Sequence, residues 1–291
     1  MGRIIDLPGV NTVNNSTDKI IVETPDGTKI APVDVLLGGV YDGVDLTVKF
    51  ADEIANFDNA WAWIQNRCQI RNYEGLRVGD YIPITMNGYT VKPQIAGIEP
   101  YLNATDVPLA GHIDFISKDL WNTLVQYNTS NVNQGNATDP SPYMVSNVHS
   151  YLVNTLASYL PAELSSKILN KRSLMETRYT DGSTLTSSTS WAWKDLGKLW
   201  LPHETEVYGY RQWSGQYGCG NPVQYDIFRG GRNIVKGLGN GGSRANWWLC
   251  DVMDASSTGA CFVNYHGYAN LTYASTAGVG VLVCFRIGYN A

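Results

Sequence analysis

The sequence predicts an α+β chain. Two stretches repeat apolar residues at helical spacing, and short apolar runs bounded by turn residues read as strands along most of the rest. Hydrophobic residues make up 44% of the 291, enough to bury a large core.

From the start, Asp18 to Glu23 and Lys29 to Val33 read as two short strands. Pro25 to Thr28 supplies the turn between them, with Gly27 at the position that wants positive φ. A lone hairpin is marginal in water, so residues 1–40 read as a small attachment and oligomerisation segment that pairs or docks. Gly38-Gly39 then marks a linker to residues 41–291. Phe50, Ile54, Phe57, Trp61, Ile64 and Cys68 alternate spacings of four and three, one stripe of a single helix. The bulk of Trp61 favours packing on its own domain over a coiled-coil seam.

Leu76 to Ile84 and Val91 to Tyr101 read as strands joined by Asn87-Gly88, and His112 to Ile116 as another. Asn128 to Pro142 is a polar loop. Val145, Val148, Leu152, Leu156 and Tyr159 mark a second amphipathic helix, and Pro161 opens a third that carries Leu164 and Ile168 inward. Thr180 to Ser190 is again a loop. Leu199 to Pro202 and Glu206 to Gly209 begin a Gly- and aromatic-rich region of short strands. Three further strands, Asn246 to Asp251, Gly259 to Tyr265 and Gly278 to Ile287, complete the chain.

Charged residues are only 16% of the chain, against roughly 25% on average. Twenty-one Lys and Arg against 26 Asp and Glu give a net charge of −5, with no basic run for phosphate contacts, so nucleic acid is not the expected partner. No apolar stretch approaches the roughly 20 residues of a membrane helix, and Met1 to Val10 lacks the apolar core of a secretory signal. Cys68, Cys219, Cys250, Cys261 and Cys284 form no C-x-x-C pair, and the last three sit in apolar segments, as small buried hydrophobes do.

Motifs for catalysis are absent. There is no G-x-S-x-G elbow, no P-loop and no G-x-G-x-x-G, and Gly237 to Gly242 lacks the strand–helix setting and lysine of a phosphate cradle. His112 and Asp114 share a strand face but have no third ligand nearby, and the segment His203 to Glu206 lacks a helical histidine pair. The expectation is a protein that is not an enzyme and has no catalytic residue, metal or cofactor.

Trp247 to Thr276 differs. Large amphipathic rings and compact hydrogen-bonding groups alternate there with Gly and Ala, the mixture of an adaptable recognition surface. The candidate binding residues are Trp247, Asp251, Met253, Asp254, Ser256, Asn264, Tyr265, His266, Tyr268, Asn270, Thr272 and Tyr273. Aromatic faces beside Asn and Asp also suit sugar rings. Read as structure alone, the same segment is a solvated sheet edge.

A series of segments then carries a resemblance: Gly75 to Ile84, Gln94 to Ile98, His112 to Ile116, Trp191-Ala-Trp193, Trp200 to Pro202, Glu206 to Gly209, Trp247 to Leu249 and Gly278 to Gly280, in that order. Together they resemble a family of phage and prophage virion proteins with a C-type-lectin-like terminal domain, over about residues 50–288. The opening, Arg3 to Pro8 with Asp18 to Val22 and Gly27 to Ile30, is similar to virion-anchoring N-termini of phage fibres.

The resemblance implies a C-type-lectin-like domain of short antiparallel strands and two or three helices that binds a bacterial surface receptor, protein or glycan. The protein would be a tail or head fibre adhesin, homotrimeric, assembled in the host cytoplasm and joined to other virion proteins through residues 1–40. In some relatives a diversity-generating retroelement rewrites the terminal segment, and the composition of Asp251 to Ser275 would suit such a history. Val281 to Arg286 departs from the Arg-Pro that relatives often carry after the final Gly-Val, and calcium-type lectin motifs are absent. Two alternatives stay open: an architectural capsid or tail decoration protein, and an oxidase like the formylglycine-generating enzymes.

Overall fold

A computed structural model of the chain describes residues 19–24, 27–32 and 41–289, apart from 103, 182 and 216–222. The chain divides into two compact units between Asp42 and Gly43. In the first, β1 (Lys19–Thr24) pairs antiparallel with β2 (Gly27–Pro32). Gly27 lies in β2 opposite Thr24, where the sequence places it in the turn. The Gly38-Gly39 linker lies outside the described residues.

The second unit opens with α1 (Leu46–Lys49), α2 (Ala51–Ile54) and α3 (Ala60–Gln69). The single helix expected from Phe50 onward is therefore broken. Asn59 is the cause: its backbone is extended and its side chain accepts from the N–H groups of Trp61 and Ala62 at 3.0 and 2.9 Å, starting a new helix. Restarting there buries Trp63 as well as Trp61, Ile64 and Cys68.

Leu76 to Pro83 is not a strand. It forms turns, with Tyr81 bridging Asp45 and Gln94. The hairpin follows, β3 (Ile84–Met86) and β4 (Tyr89–Val91), around Asn87 and Gly88 at φ 45° and 80°. Positive φ at both turn residues is the geometry that matches strand twist, and Asn-Gly supplies it.

The main sheet takes β5 (Pro93–Ile98), β6 (His112–Ser117), β15 (Cys284–Gly288) and β7 (Ile168–Leu169) in that spatial order. The last strand thus inserts between two earlier ones, antiparallel to both, with Phe285 opposite Phe115. Trp61 of α3 meets both rings edge-on at 5.5 Å, closing the core.

The second amphipathic segment is α4 (Asn147–Ser150), continued by a π turn (Tyr151–Thr155) and a 3-10 turn (Leu156–Tyr159), which keeps Val148, Leu152 and Leu156 buried. Pro161 precedes α5 (Ala162–Ser165), a single turn, so Ile168 is buried from β7 and not from a helix. Next, β8 (Arg172–Thr177) pairs with β9 (Ser190–Asp195), which carries Trp191 and Trp193.

Residues Glu204–Tyr208 form α6, where a strand was expected. Glu206 at the third helical position accepts from the His203 backbone N–H at 2.7 Å, and Gly209 ends the helix at φ 77°. A two-residue pair, β10 (Lys236–Gly237) and β11 (Arg244–Ala245), precedes the second sheet. That sheet is β12 (Trp247–Val252), β13 (Gly259–Val263) and β14 (Ala269–Tyr273), antiparallel in chain order. Strand β14 was not expected from the sequence because its half-exposed polar residues lack an apolar run.

The described unit is thus α+β, with several small antiparallel sheets.

Candidate functional site

A chain of buried polar side chains runs from the main sheet to the second one. Asp114 and Arg286 pair bidentately across β6 and β15 at 2.6 and 2.7 Å. Burial would raise the Asp114 carboxyl, and the Arg286 guanidinium more than reverses that. Tyr225 donates to Asp114 at 2.7 Å. Lys171 donates to Tyr225 at 3.4 Å and also to Glu206, which accepts from Tyr101 too. From Glu206 the chain passes through the His203 backbone to its ring.

His203 is bonded on both sides. Nδ1–H donates to Asp251 Oδ1 at 2.7 Å, and Nε2 shares a hydrogen bond with Ser173 Oγ at 2.8 Å. The other Asp251 oxygen accepts from the Glu204 N–H at 2.5 Å. This Ser–His–Asp order is that of a nucleophile relay, but Ser173, His203 and Asp251 are all buried, so the native packing offers Ser173 no substrate. Ligand atoms of His203, Cys250 and Asp251 lie within 4.8 Å of one another. Both ring nitrogens of His203 already serve protein partners, so a cation there would have to break one of them.

Beyond α6, Glu204 turns the network into a loop support. Its carboxylate accepts from the backbone N–H groups of Gln212 at 2.8 Å, Trp213 at 3.0 Å and Ser214 at 3.0 Å, and from the Ser214 hydroxyl at 2.7 Å. One buried carboxylate thus fixes the loop that carries Tyr210 and Trp213. Trp213 Nε1 in turn donates to the Ala269 carbonyl at 3.2 Å, and Tyr208 donates to the Gly267 carbonyl at 3.1 Å. The loop after α6 is therefore tied directly to the β13–β14 turn.

That turn is itself pinned. Asn264 Oδ1 accepts from the N–H groups of His266 and Tyr268 at 2.9 and 3.0 Å, and Asn246 Oδ1 accepts from Tyr265 N–H at 2.9 Å. Gly267 has φ 90°, and a Cβ there would meet Val235 Cγ2 at 3.1 Å. On this rigid backbone Tyr265 and Tyr268 are 49% and 69% exposed, and His266 is exposed with its ring 4.1 Å from that of Tyr265. Tyr210, 57% exposed, lies 6.2 Å from Tyr208.

The candidate residues divide into three groups. Trp247 and Asp251 point inward and are withdrawn from any binding surface: Trp247 donates to the Ile234 carbonyl at 3.0 Å and stacks on Phe228, while Asp251 serves His203 and Glu204. Burial of all six β12 residues, on both faces of the strand, is the reason. Asn264, Tyr265, His266, Tyr268 and Asn270 gather at the β13–β14 turn. Met253, Asp254, Ser256, Thr272 and Tyr273 lie at the opposite end of the sheet, about 14 Å along the strand. There Arg178 donates to the carbonyls of Met253 and Ser256 at 2.8 and 2.7 Å, and Ser256 Oγ accepts from Gly259 N–H at 3.1 Å, so that end is held as structure. Tyr273 is exposed beside it.

Tyr208 and Tyr210 complete the turn-end face and were missed, as was Trp213, which links the two ends: its indole N–H is on Ala269 and its carbonyl accepts from Asp254 N–H at 2.9 Å. Their signal was the aromatic spacing from Tyr208 to Trp213, hidden by reading α6 as a strand.

The other titratable groups singled out in the sequence are structural. Burial and the Arg286 charge push the His112 pKa down to about 4; its Nδ1–H donates to the Ala110 carbonyl and its Nε2 accepts from Tyr101 N–H. Cys68, Cys250, Cys261 and Cys284 are buried, and Cys219 lies outside the described residues. Burial pushes the Cys68 thiol up to about 12 and those of Cys261 and Cys284 well above their ordinary value.

A family model described as a domain of unknown function, DUF6273, matches residues 115–288, more than half of the chain. No curated protein and no solved structure matches it. The matched span runs from β6 to β15 and includes the β12–β14 sheet and the loop after α6.

Proposed function

This chain belongs to the DUF6273 family, and we propose that it is a phage structural protein, a tail or head fibre adhesin that binds a host-surface receptor through the β13–β14 turn and the loop after α6. In this reading the larger unit is a C-type-lectin-like domain and residues 1–40 join it to other virion proteins. The fibre is a homotrimer, assembled in the host cytoplasm and carried on the virion, so that several weak contacts combine into avidity.

The observation that carries the reading is the pinned turn at residues 264–268. Exposed Tyr265 and Tyr268 stand on a backbone fixed by Asn264 and Asn246, so their contact area is offered at little entropic cost. Mobile apolar side chains would have to be ordered on binding. The ordered succession of motifs from Gly75 to Gly280 supports the lectin-like assignment. The four buried thiols weigh against an oxidase that works through them.

Purified chain added to host cells should occupy the receptor and block particle adsorption, while particles carrying Y265A/Y268A should assemble normally and fail to adsorb. Normal adsorption by those particles would favour the decoration-protein alternative.

A further inference from the structure

The receptor-facing surface carries a charge pattern that its aromatic residues do not require. Between Gly209 and Thr276 the sequence has five cations against three carboxylates, although the chain as a whole is at −5. One cation, Lys236, is buried and donates to the Ser117 carbonyl at 3.0 Å. The others, Arg211, Arg229, Arg232 and Arg244, are exposed. Of the carboxylates, Asp251 is buried on His203, Asp226 pairs with Arg229 at 3.0 Å, and Asp254, whose N–H donates to the Trp213 carbonyl at 2.9 Å, makes no ion pair among the described residues. Among the described residues Arg211, Arg232 and Arg244 have no anionic partner.

Each of these three arginines lies within three residues of a residue tied to the turn. Arg211 follows Tyr210, whose ring neighbours Tyr208, and Tyr208 donates to the Gly267 carbonyl. Arg232 lies two residues before Ile234, whose side chain packs under Gly267. Arg244 lies two residues before Asn246, which accepts from the Tyr265 N–H. Every exposed cation of the face is an arginine, the side chain whose planar fork meets a carboxylate with two parallel hydrogen bonds.

We infer that this face takes a carboxylate-bearing polysaccharide, the sugar rings lying on Tyr265 and Tyr268 and the carboxylates on Arg211, Arg232 and Arg244. The inference rests on the adhesin reading above and narrows its ligand. A uronic acid carries its carboxylate on the ring that stacks, so one sugar residue spans a tyrosine and a neighbouring arginine at once. A phosphodiester polymer separates charge from ring, and a neutral glycan leaves the arginines unused.

The test is binding of the full chain to immobilised polygalacturonate, beside dextran, poly(glycerol phosphate) and single-stranded DNA. Binding to polygalacturonate should exceed binding to the other three and weaken as salt rises to about 0.5 M. R211Q/R232Q/R244Q should lose about tenfold or more while unfolding at the parent temperature, since the three side chains are exposed. An unchanged triple variant, equal retention on dextran, or equal or tighter binding to poly(glycerol phosphate) or DNA would overturn the inference. Retention on host cells, measured in parallel, separates the two claims. If Y265A/Y268A loses the cells while the arginine variant keeps them, the ligand class is wrong and the adhesin reading stands. If neither variant loses them, both fall.

Discussion

Asp251 Oδ1 lies 2.7 Å from Nδ1 of His203, with both side chains sealed from solvent. A carboxylate that composition places in a binding segment is therefore a structural part, joining β12 to the start of α6. Its second oxygen caps α6 through the Glu204 N–H, and Glu204 holds the loop bearing Tyr210 and Trp213. The account is of a rigid internal support beneath a small exposed face.

Replacing Asp251 with alanine leaves the His203 N–H and the Glu204 N–H without their acceptor inside the protein. Urea unfolding should show a loss of about 2–4 kcal/mol. A D251A variant that unfolds like the parent and loses only ligand binding would return Asp251 to the surface.

The Asp114–Arg286 pair gives a second test through a double-mutant cycle. Either D114L or R286M alone strands a buried charge and should cost about 3–5 kcal/mol. D114L/R286M removes both charges and should cost less than the sum of the singles, with Tyr225 and its lost acceptor accounting for much of the remainder. Additive losses would show that the two residues do not act as a pair.

Acid stability should follow His112. Its pKa of about 4 in the fold lies below the ordinary 6.5, so the unfolded chain binds the proton more readily. The contribution is complete above pH 6.5 and is lost as pH falls through about 4, about 3 kcal/mol in all. His149, also lowered by burial, acts in the same direction. A His112→Gln variant should show a flatter fall in unfolding free energy between pH 6.5 and 4, and an unchanged slope would contradict the assignment.

Much of the scaffold is legible in the sequence, and the reasons are local. Asn87-Gly88 specifies its hairpin by turn chemistry alone, and the apolar runs of β6, β12, β13 and β15 announce buried strands. The failures are equally physical. The stripe from Phe50 to Cys68 keeps helical spacing across a break because an N-cap at Asn59 outweighs periodicity. Helix α6 was hidden because Glu206 and Gly209, its start and stop signals, sit among aromatic residues that suggest strands. Burial of Trp247 depends on Phe228 and Ile234, and that of Asp251 on His203, partners far away in sequence. The turn-end tyrosines were identified because no distant partner claims them.

Thiol chemistry checks the packing independently. Cys68, Cys250, Cys261 and Cys284 should be inert to a thiol reagent in a native C219S variant at pH 8 and react fully once it is denatured. Rapid labelling of any of the four in the native state would mean that the core opens, and would revive a thiol-based activity.

The central claim is that Tyr265 and Tyr268 form the contact face. Its most direct measurement compares retention of purified protein on host cells for Y265A/Y268A and for Y89A/Y289A, two tyrosines of similar exposure, 50% and 44%, elsewhere on the surface. The account predicts that the first variant is lost from the cells while the second is retained like the parent. Equal retention of both would contradict it.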